Sequence, residues 1–172
     1  MKKYDAIIIG FGKGGKTLAA EFAKRQKTVA IVERSNRMYG GTCINIGCIP
    51  TKTLVHLAKE APVKATWEEK KEYYRQAIGR KEEVTSFLRN KNYHNLADNP
   101  NVTVYTGVGS FAGPDVVEVR TETEVIELQS SQIFINTGAE TIVPPIDGIK
   151  ENPRVYTSTS IMELEELPER LV

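Results

Sequence analysis

The chain has 172 residues, with 23 Lys+Arg against 22 Asp+Glu, enough for one domain with a sizeable core. The near-neutral balance gives no electrostatic case for nucleic acid or an anionic membrane, and no apolar run approaches the roughly 18 residues of a bilayer span. Two cysteines and two widely separated histidines exclude a disulfide scaffold and disfavour a resident metal.

The first residues, Met1-Lys2-Lys3-Tyr4-Asp5, run straight into an apolar stretch with no secretory h-region or cleavage site, which predicts a cytoplasmic protein. Tyr4 to Ile9 is that stretch, a strand buried on both faces of a parallel sheet. Gly10-Phe11-Gly12-Lys13-Gly14-Gly15 follows, then a helix to about Lys24 with Leu18, Ala19 and Phe22 on its inner face. Thr28 to Val32 is the second strand and ends in Glu33, an acid 23 positions after Gly10. This is the βαβ fingerprint of a dinucleotide site. Gly10, Gly12 and Gly15 let the backbone approach a pyrophosphate at the helix N-terminus. Glu33 accepts from the adenosine ribose and repels a 2′-phosphate, so the expected ligand is FAD or NAD rather than NADP.

Gly10 to Thr17 also reads G-x-x-x-x-G-K-T, so a P-loop nucleotide-binding protein is the rival reading. The later strands carry no apolar run ending in an Asp for magnesium. Glu33 sits where a ribose acid belongs. The dinucleotide reading therefore leads, with Lys16 and Thr17 as ordinary helix residues.

Gly40-Gly41-Thr42-Cys43-Ile44-Asn45-Ile46-Gly47-Cys48-Ile49-Pro50-Thr51-Lys52 holds both cysteines. On a regular helix, residues five apart lie about 140° round and about 7.5 Å along the axis. A disulfide wants Cα atoms within about 7 Å and converging Cβ atoms. Cys43 and Cys48 can bond only across an irregular backbone, which Gly47 permits. Pro50 suits the first turn of the following helix, and Cys48 then lies near its N-terminus, where the dipole favours a thiolate. Spacing alone leaves two readings open, a reactive dithiol or two small buried hydrophobes.

The cysteine helix is expected to run to about Glu60, where Pro62 breaks it, and a charge-rich helix to span roughly Thr66 to Lys91. That helix reads as structural, with the alternative that its Lys and Arg help admit an anionic oxidant. Asn99-Pro100-Asn101 is a turn. Val102–Tyr105, Gly107–Phe111, Val116–Arg120 and Val125–Leu128 are strands, the later ones an antiparallel meander. Gln132 to Asn136 has the apolar pattern of a central strand and ends at Thr137-Gly138-Ala139. Ile161 to Val172 reads as a short helix and connector. The expected architecture is α/β: an open parallel sheet, helices and a β-meander crossover.

The cysteine segment fills every fixed position of Gly-Gly-Thr-Cys-x-Asn-x-Gly-Cys-x-Pro-Ser/Thr-Lys. It resembles the class I flavin disulfide reductases, the pyridine nucleotide-disulfide oxidoreductases that include mercuric, glutathione and dihydrolipoamide reductases. Ser35–Tyr39, Thr53–His56 and Phe87–Leu96 are similar to the bacterial reactive-chlorine-resistance branch, associated with reducing hypothiocyanous acid and related oxidants. The resemblance implies a three-layer FAD/NAD(P)-binding Rossmann-like domain over residues 1–150, with a helical excursion at about 50–97. Residues 151–172 would be a connector toward an NAD(P)H-binding domain.

It further implies electron flow from NAD(P)H through FAD to a Cys43–Cys48 disulfide, and on to a small oxidant or a metal ion. Cys48 would contact the flavin ring, and Cys43 would be the interchange thiol. Lys52 would set a cation near the ring, and Arg34, Gly41, Thr42, the Val108 backbone and the Thr137-Gly138-Ala139 turn would contact the cofactor. His56 and His94 are not the family's acid/base histidine. The resemblance covers the N-terminal part of a typical member, so the sequence reads as a piece of a homodimeric enzyme of oxidative-stress defence, inactive by itself.

Overall fold

The computed structural model describes residues 1–172. Its first half contains β1 (Lys2–Lys3), β2 (Ala6–Ile9), α1 (Lys13–Lys24), β3 (Val29–Glu33), a 3-10 turn (Asn36–Met38), α2 (Thr42–Asn45), α3 (Cys48–Glu60) and α4 (Trp67–Ala97). The second half contains β4 (Val102–Thr106), β5 (Val108–Phe111), β6 (Val116–Arg120), β7 (Val125–Gln129), β8 (Ile133–Ile135) and a 3-10 turn (Ser160–Glu163). No helix is long and apolar enough to cross a membrane.

Three layers result. A parallel sheet in the order β4-β3-β2-β8 lies in the middle. The period of two along β2 and β3 divides their side chains between its faces. Ala6, Ile8, Val29 and Ile31 pack with Ala19 and Ala23 of α1 and Leu96 of α4. Ile7, Ile9, Ala30 and Val32 pack with Val117, Val119 and Leu128 of the second sheet, ordered β1-β7-β6-β5. Burial on both faces explains why β2 and β3 are apolar at every position but the last.

Several sequence expectations shift. β8 is an edge strand rather than a central one, pairing only with β2, and Ile135 is 69% exposed. β1 is an extra strand that pairs in parallel with β7, Lys2 opposite Leu128; Lys-Lys carries no strand pattern, and only the neighbouring edge recruits it. The short helix expected over 161–172 is just the 3-10 turn at Ser160–Glu163.

Helix α4 runs to Ala97, a turn and a half beyond the expected end at Lys91, because nothing interrupts it before Asn99-Pro100 and because Leu96 anchors it in the core. Its start is fixed by a capping box: Thr66 Oγ1 accepts from Glu69 N–H at 3.3 Å, and the Glu69 carboxylate accepts from Thr66 N–H at 2.7 Å. Thr66→Ala is expected to cost about 1 kcal/mol, read as a lower urea midpoint with an unchanged slope.

α4 also ties the cysteine segment down. Tyr73 donates to the Leu57 carbonyl of α3 at 2.9 Å, Arg89 Nε donates to Asn45 Oδ1 at 2.8 Å, and Lys81 Nζ donates to the Met162 carbonyl at 3.0 Å. The inward cations of this helix therefore hold structure, and others pair on its surface, as Arg75 with Glu72 and Arg80 with Glu83.

Candidate functional site

A cleft of about 820 Å³ opens at the carboxyl ends of the parallel strands, the usual ligand position in such sheets. Gly10 and Gly12 form its floor, Glu33 ends β3 and Arg34 follows it, Gly41 and Thr42 come from the cysteine segment, and Gly107 leads into β5, which Val108 and Gly109 begin. Thr137, Gly138 and Ala139 close it after β8. Ten of the fourteen residues singled out from the sequence thus converge on one cavity. Gly15 is buried beneath the loop, where a Cβ would stand 2.4 Å from the Gly10 carbonyl oxygen. Lys52 is exposed on α3, one turn past Cys48. Cys43 and Cys48 sit on the adjoining α2 and at the start of α3.

The floor is built for a ligand that comes close to the backbone. Gly10 has φ +110, and a Cβ there would lie 2.1 Å from the Asn136 carbonyl oxygen. α1 begins with Gly12 as an N-cap that makes no side-chain hydrogen bond, and its first turn holds no acid. Its free N–H groups and positive dipole end suit a phosphate. Glu33 is 8% exposed, and its carboxylate accepts from Phe11 N–H at 3.0 Å and Ser35 N–H at 3.3 Å. An ionised carboxylate takes about four such bonds, so capacity remains for ribose hydroxyls. These features fit the pyrophosphate and adenosine of FAD.

The same geometry argues against a P-loop. Lys16 does not turn back over the loop: its Nζ crosses to Asn92 Oδ1 on α4. Thr17 Oγ1 donates to the Lys13 carbonyl at 2.8 Å, and β8 leads into Asn136 rather than an Asp. Thr17 is the ordinary helix residue expected. Lys16, expected to be one too, is instead a half-buried contact between helices.

Asn136 escaped the sequence reading except as a strand end. Its Nδ2 donates to the Gly10 carbonyl at 3.1 Å and its N–H to the Ile9 carbonyl at 2.8 Å, which fixes the loop against β8. A polar residue closing an apolar strand was the available signal. Thr157, Ser158 and Thr159 also line the cleft, though nothing in their local sequence marks them.

Gly41 joins the cleft to the dithiol. It has φ +79, and a Cβ there would lie 2.6 Å from Gly12 Cα. This close approach seats α2 against the start of α1. Asn45 Nδ2 braces the bend by donating to the Gly41 carbonyl at 2.9 Å and the Tyr39 carbonyl at 3.0 Å. The helix breaks at Ile46 and Gly47 and restarts at Cys48, the irregularity a bonded pair requires.

Both cysteines are exposed free thiols. Interaction with the Cys48 thiol raises the Cys43 pKa most, partial desolvation adds to this, and Lys13 and Lys16 of α1 pull it down. His56 and His94 are exposed and pair with Glu60 and Asp98 on their own helices, as surface residues do.

A dinucleotide-type cleft adjoins two exposed thiols, one on α2 and one at the start of α3. The family model for pyridine nucleotide-disulphide oxidoreductases matches residues 4–172. The chain belongs to that family. It is 53% identical over 171 residues to the probable pyridine nucleotide-disulfide oxidoreductase RclA of Escherichia coli, covering 99% of this chain and 36% of that protein. The solved Cu(II) complex of the HOCl-induced flavoprotein disulfide reductase RclA from E. coli superposes with a TM-score of 0.87 at 52% identity, over 98% of this chain and 36% of that one. A mercuric reductase of Lysinibacillus sphaericus is 34% identical over 175 residues, covering 98% of this chain and 31% of its own length. The chain thus spans about a third of these relatives, and its three layers are their FAD-binding Rossmann-like fold.

Proposed function

We propose that this chain is the FAD-binding part of a flavin-dependent disulfide oxidoreductase whose Cys43–Cys48 pair passes electrons from NAD(P)H to a small oxidant. The observation that carries this reading is the Gly12–Gly41 contact, which fuses the phosphate-binding loop and the dithiol segment into one unit. Residues 1–150 are the FAD domain, and 151–172 lead toward an NAD(P)H-binding domain in a homodimeric, cytoplasmic enzyme. Hypothiocyanous or hypochlorous species are the favoured acceptors, in keeping with the similarity to the HOCl-induced RclA. A cupric or mercuric ion as substrate is the second reading, favoured by the Cu(II) complex of that relative and by the mercuric reductase match.

In this reading Gly10, Gly12 and the α1 N-terminus hold the pyrophosphate, Glu33 holds the ribose, and Arg34, Val108 and the Thr137-Gly138-Ala139 turn border the nucleotide half. Thr42 and Lys52 lie toward the ring end. FAD held there would supply the electron pair that returns the disulfide to a dithiol. Toward the acceptor the chain's own sulfurs do the work. The Cys43 thiolate attacks the sulfur or chlorine of the hypohalous-type acid and breaks its bond to oxygen, with hydroxide leaving, and Cys48 then displaces thiocyanate or chloride from the Cys43 sulfur. The new S–S bond accounts for the two electrons delivered; of the two thiol protons, one ends in water with the departed hydroxide and one is released.

FAD titrated into the purified protein is expected to bind with quenching of flavin fluorescence. Glu33→Ala is expected to weaken binding about tenfold, the effect of losing roughly 1.4 kcal/mol of charge-assisted hydrogen bonding. Magnesium-dependent ATP or GTP hydrolysis without flavin binding would overturn the assignment.

A further inference from the structure

Lys13 and Lys16 are the part of the phosphate-loop motif that the dinucleotide reading leaves unused. Lys13 is exposed at the first position of α1, and Lys16 is half-buried one turn later on the same helix. The Gly12–Gly41 contact brings this turn against α2, and the charges of both lysines pull the Cys43 pKa down. Lys16 is held in place: its Nζ donates to Asn92 Oδ1, and Asn92 Nδ2 is fixed on the Leu88 carbonyl at 2.7 Å. Gly40, at φ +93, lies against the same side chain: a Cβ there would stand 2.6 Å from Ile44 Cδ1 and 3.3 Å from Asn92 Cγ.

The other charged groups around α2 are committed elsewhere. Arg89 of α4 is taken by Asn45 and lies 3.7 Å from Glu82. Arg37 and Glu82 line a cavity of about 230 Å³ together with Ile46 and Pro50. The Cys48 thiol is the remaining titratable neighbour of Cys43. The exposed sulfur of Cys43 thus lies in the field of two cations of α1 and beside the Cys48 thiol.

We propose that Lys13 and Lys16, the latter oriented by Asn92, form a cationic seat that favours small monovalent anions over neutral electrophiles at the Cys43 sulfur. This rests on Cys43 as the substrate-facing thiol. Lys16 is then a specificity-determining and positioning residue, and Asn92 positions Lys16. The seat also stabilises the thiolate against the neighbouring thiol, which acts in the opposite direction.

Iodoacetate and iodoacetamide test the seat, because both alkylate a thiolate with loss of iodide and differ in charge. Their rates are measured on the reduced protein, with Cys43 and Cys48 resolved by fragment-ion mass spectrometry. The iodoacetate-to-iodoacetamide ratio at Cys43 is expected to fall about threefold in Lys16→Met and about twofold in Lys13→Gln. It should hold in Lys16→Arg, drop partway in Asn92→Ala, and lose its dependence on these lysines in 1 M salt. Lys13 is exposed, so Lys13→Gln leaves the fold intact and keeps the test decisive if Lys16→Met misfolds. Unchanged ratios in Lys16→Met and Lys13→Gln overturn the seat. Labelling of Cys48 ahead of Cys43 in the unmutated protein would instead overturn the assignment of Cys43 as the outer thiol, and the ratio at Cys43 would still report on the lysines.

Discussion

Cys43→Ser in the FAD-loaded enzyme is expected to keep a long-wavelength thiolate–flavin absorption band, and Cys48→Ser to abolish it. Either substitution is expected to lower NAD(P)H-dependent turnover on the order of 10³-fold or more, because the dithiol works as a unit and one sulfur cannot close the disulfide. The asymmetry follows from where the two residues sit. Cys48 is the first residue of α3, after the break at Ile46 and Gly47, whereas Cys43 lies on α2 under the influence of Lys13 and Lys16. A band needs a thiolate in contact with the ring, so it reports which sulfur is inner. Stopped-flow spectra of the reduced variants check this, and a band in Cys48→Ser but not in Cys43→Ser would exchange the two roles.

The second large effect is expected from a single methyl group. Gly10→Ala places a Cβ 2.1 Å from the Asn136 carbonyl oxygen at φ +110, and Gly41→Ala places one 2.6 Å from Gly12 Cα at φ +79. Positive φ costs about 1–2 kcal/mol for a residue with a side chain, and overpacking against backbone adds about 1–3 kcal/mol. Each variant should lose roughly 2–5 kcal/mol of stability on these terms. Gly10→Ala should also lose FAD binding outright, because Asn136 and the loop move apart. Gly41→Ala should uncouple the dithiol from the cleft and lower turnover more than flavin affinity. Gly79 is the control: it lies exposed within α4 with nothing within 4 Å of a built Cβ, so Gly79→Ala should gain about 0.5–1 kcal/mol. Urea denaturation and flavin titration separate the three, and a Gly41→Ala protein with unaltered stability would remove the proposed coupling.

The sequence by itself determined the layers and part of the cleft. β2 and β3 are apolar on both faces, so their burial between two layers was readable from composition alone. The glycines at 10 and 12 and the acid at 33 are local signals of a βαβ dinucleotide loop, whereas Gly41 and the turn at 137–139 were assigned to the cofactor only through the family resemblance. Helix α3 was equally legible, bounded by Gly47 and Pro62.

Contacts between distant segments were decided only by the tertiary structure. β8 carries the pattern of a central strand, yet which strands flank it is not encoded in its three residues, and it lies at an edge. β1 exists because the β7 edge offers unpaired backbone groups to two lysines. Lys16 follows helix periodicity like any solvated lysine, and only the packing of α1 against α4, 76 positions away, turns it to Asn92. Asn136 and Thr157–Thr159 enter the cleft for the same reason. A local pattern encodes how a segment meets water. It does not encode which other segment displaces that water, and that choice is what seats the lysine-bearing first turn of α1 against α2.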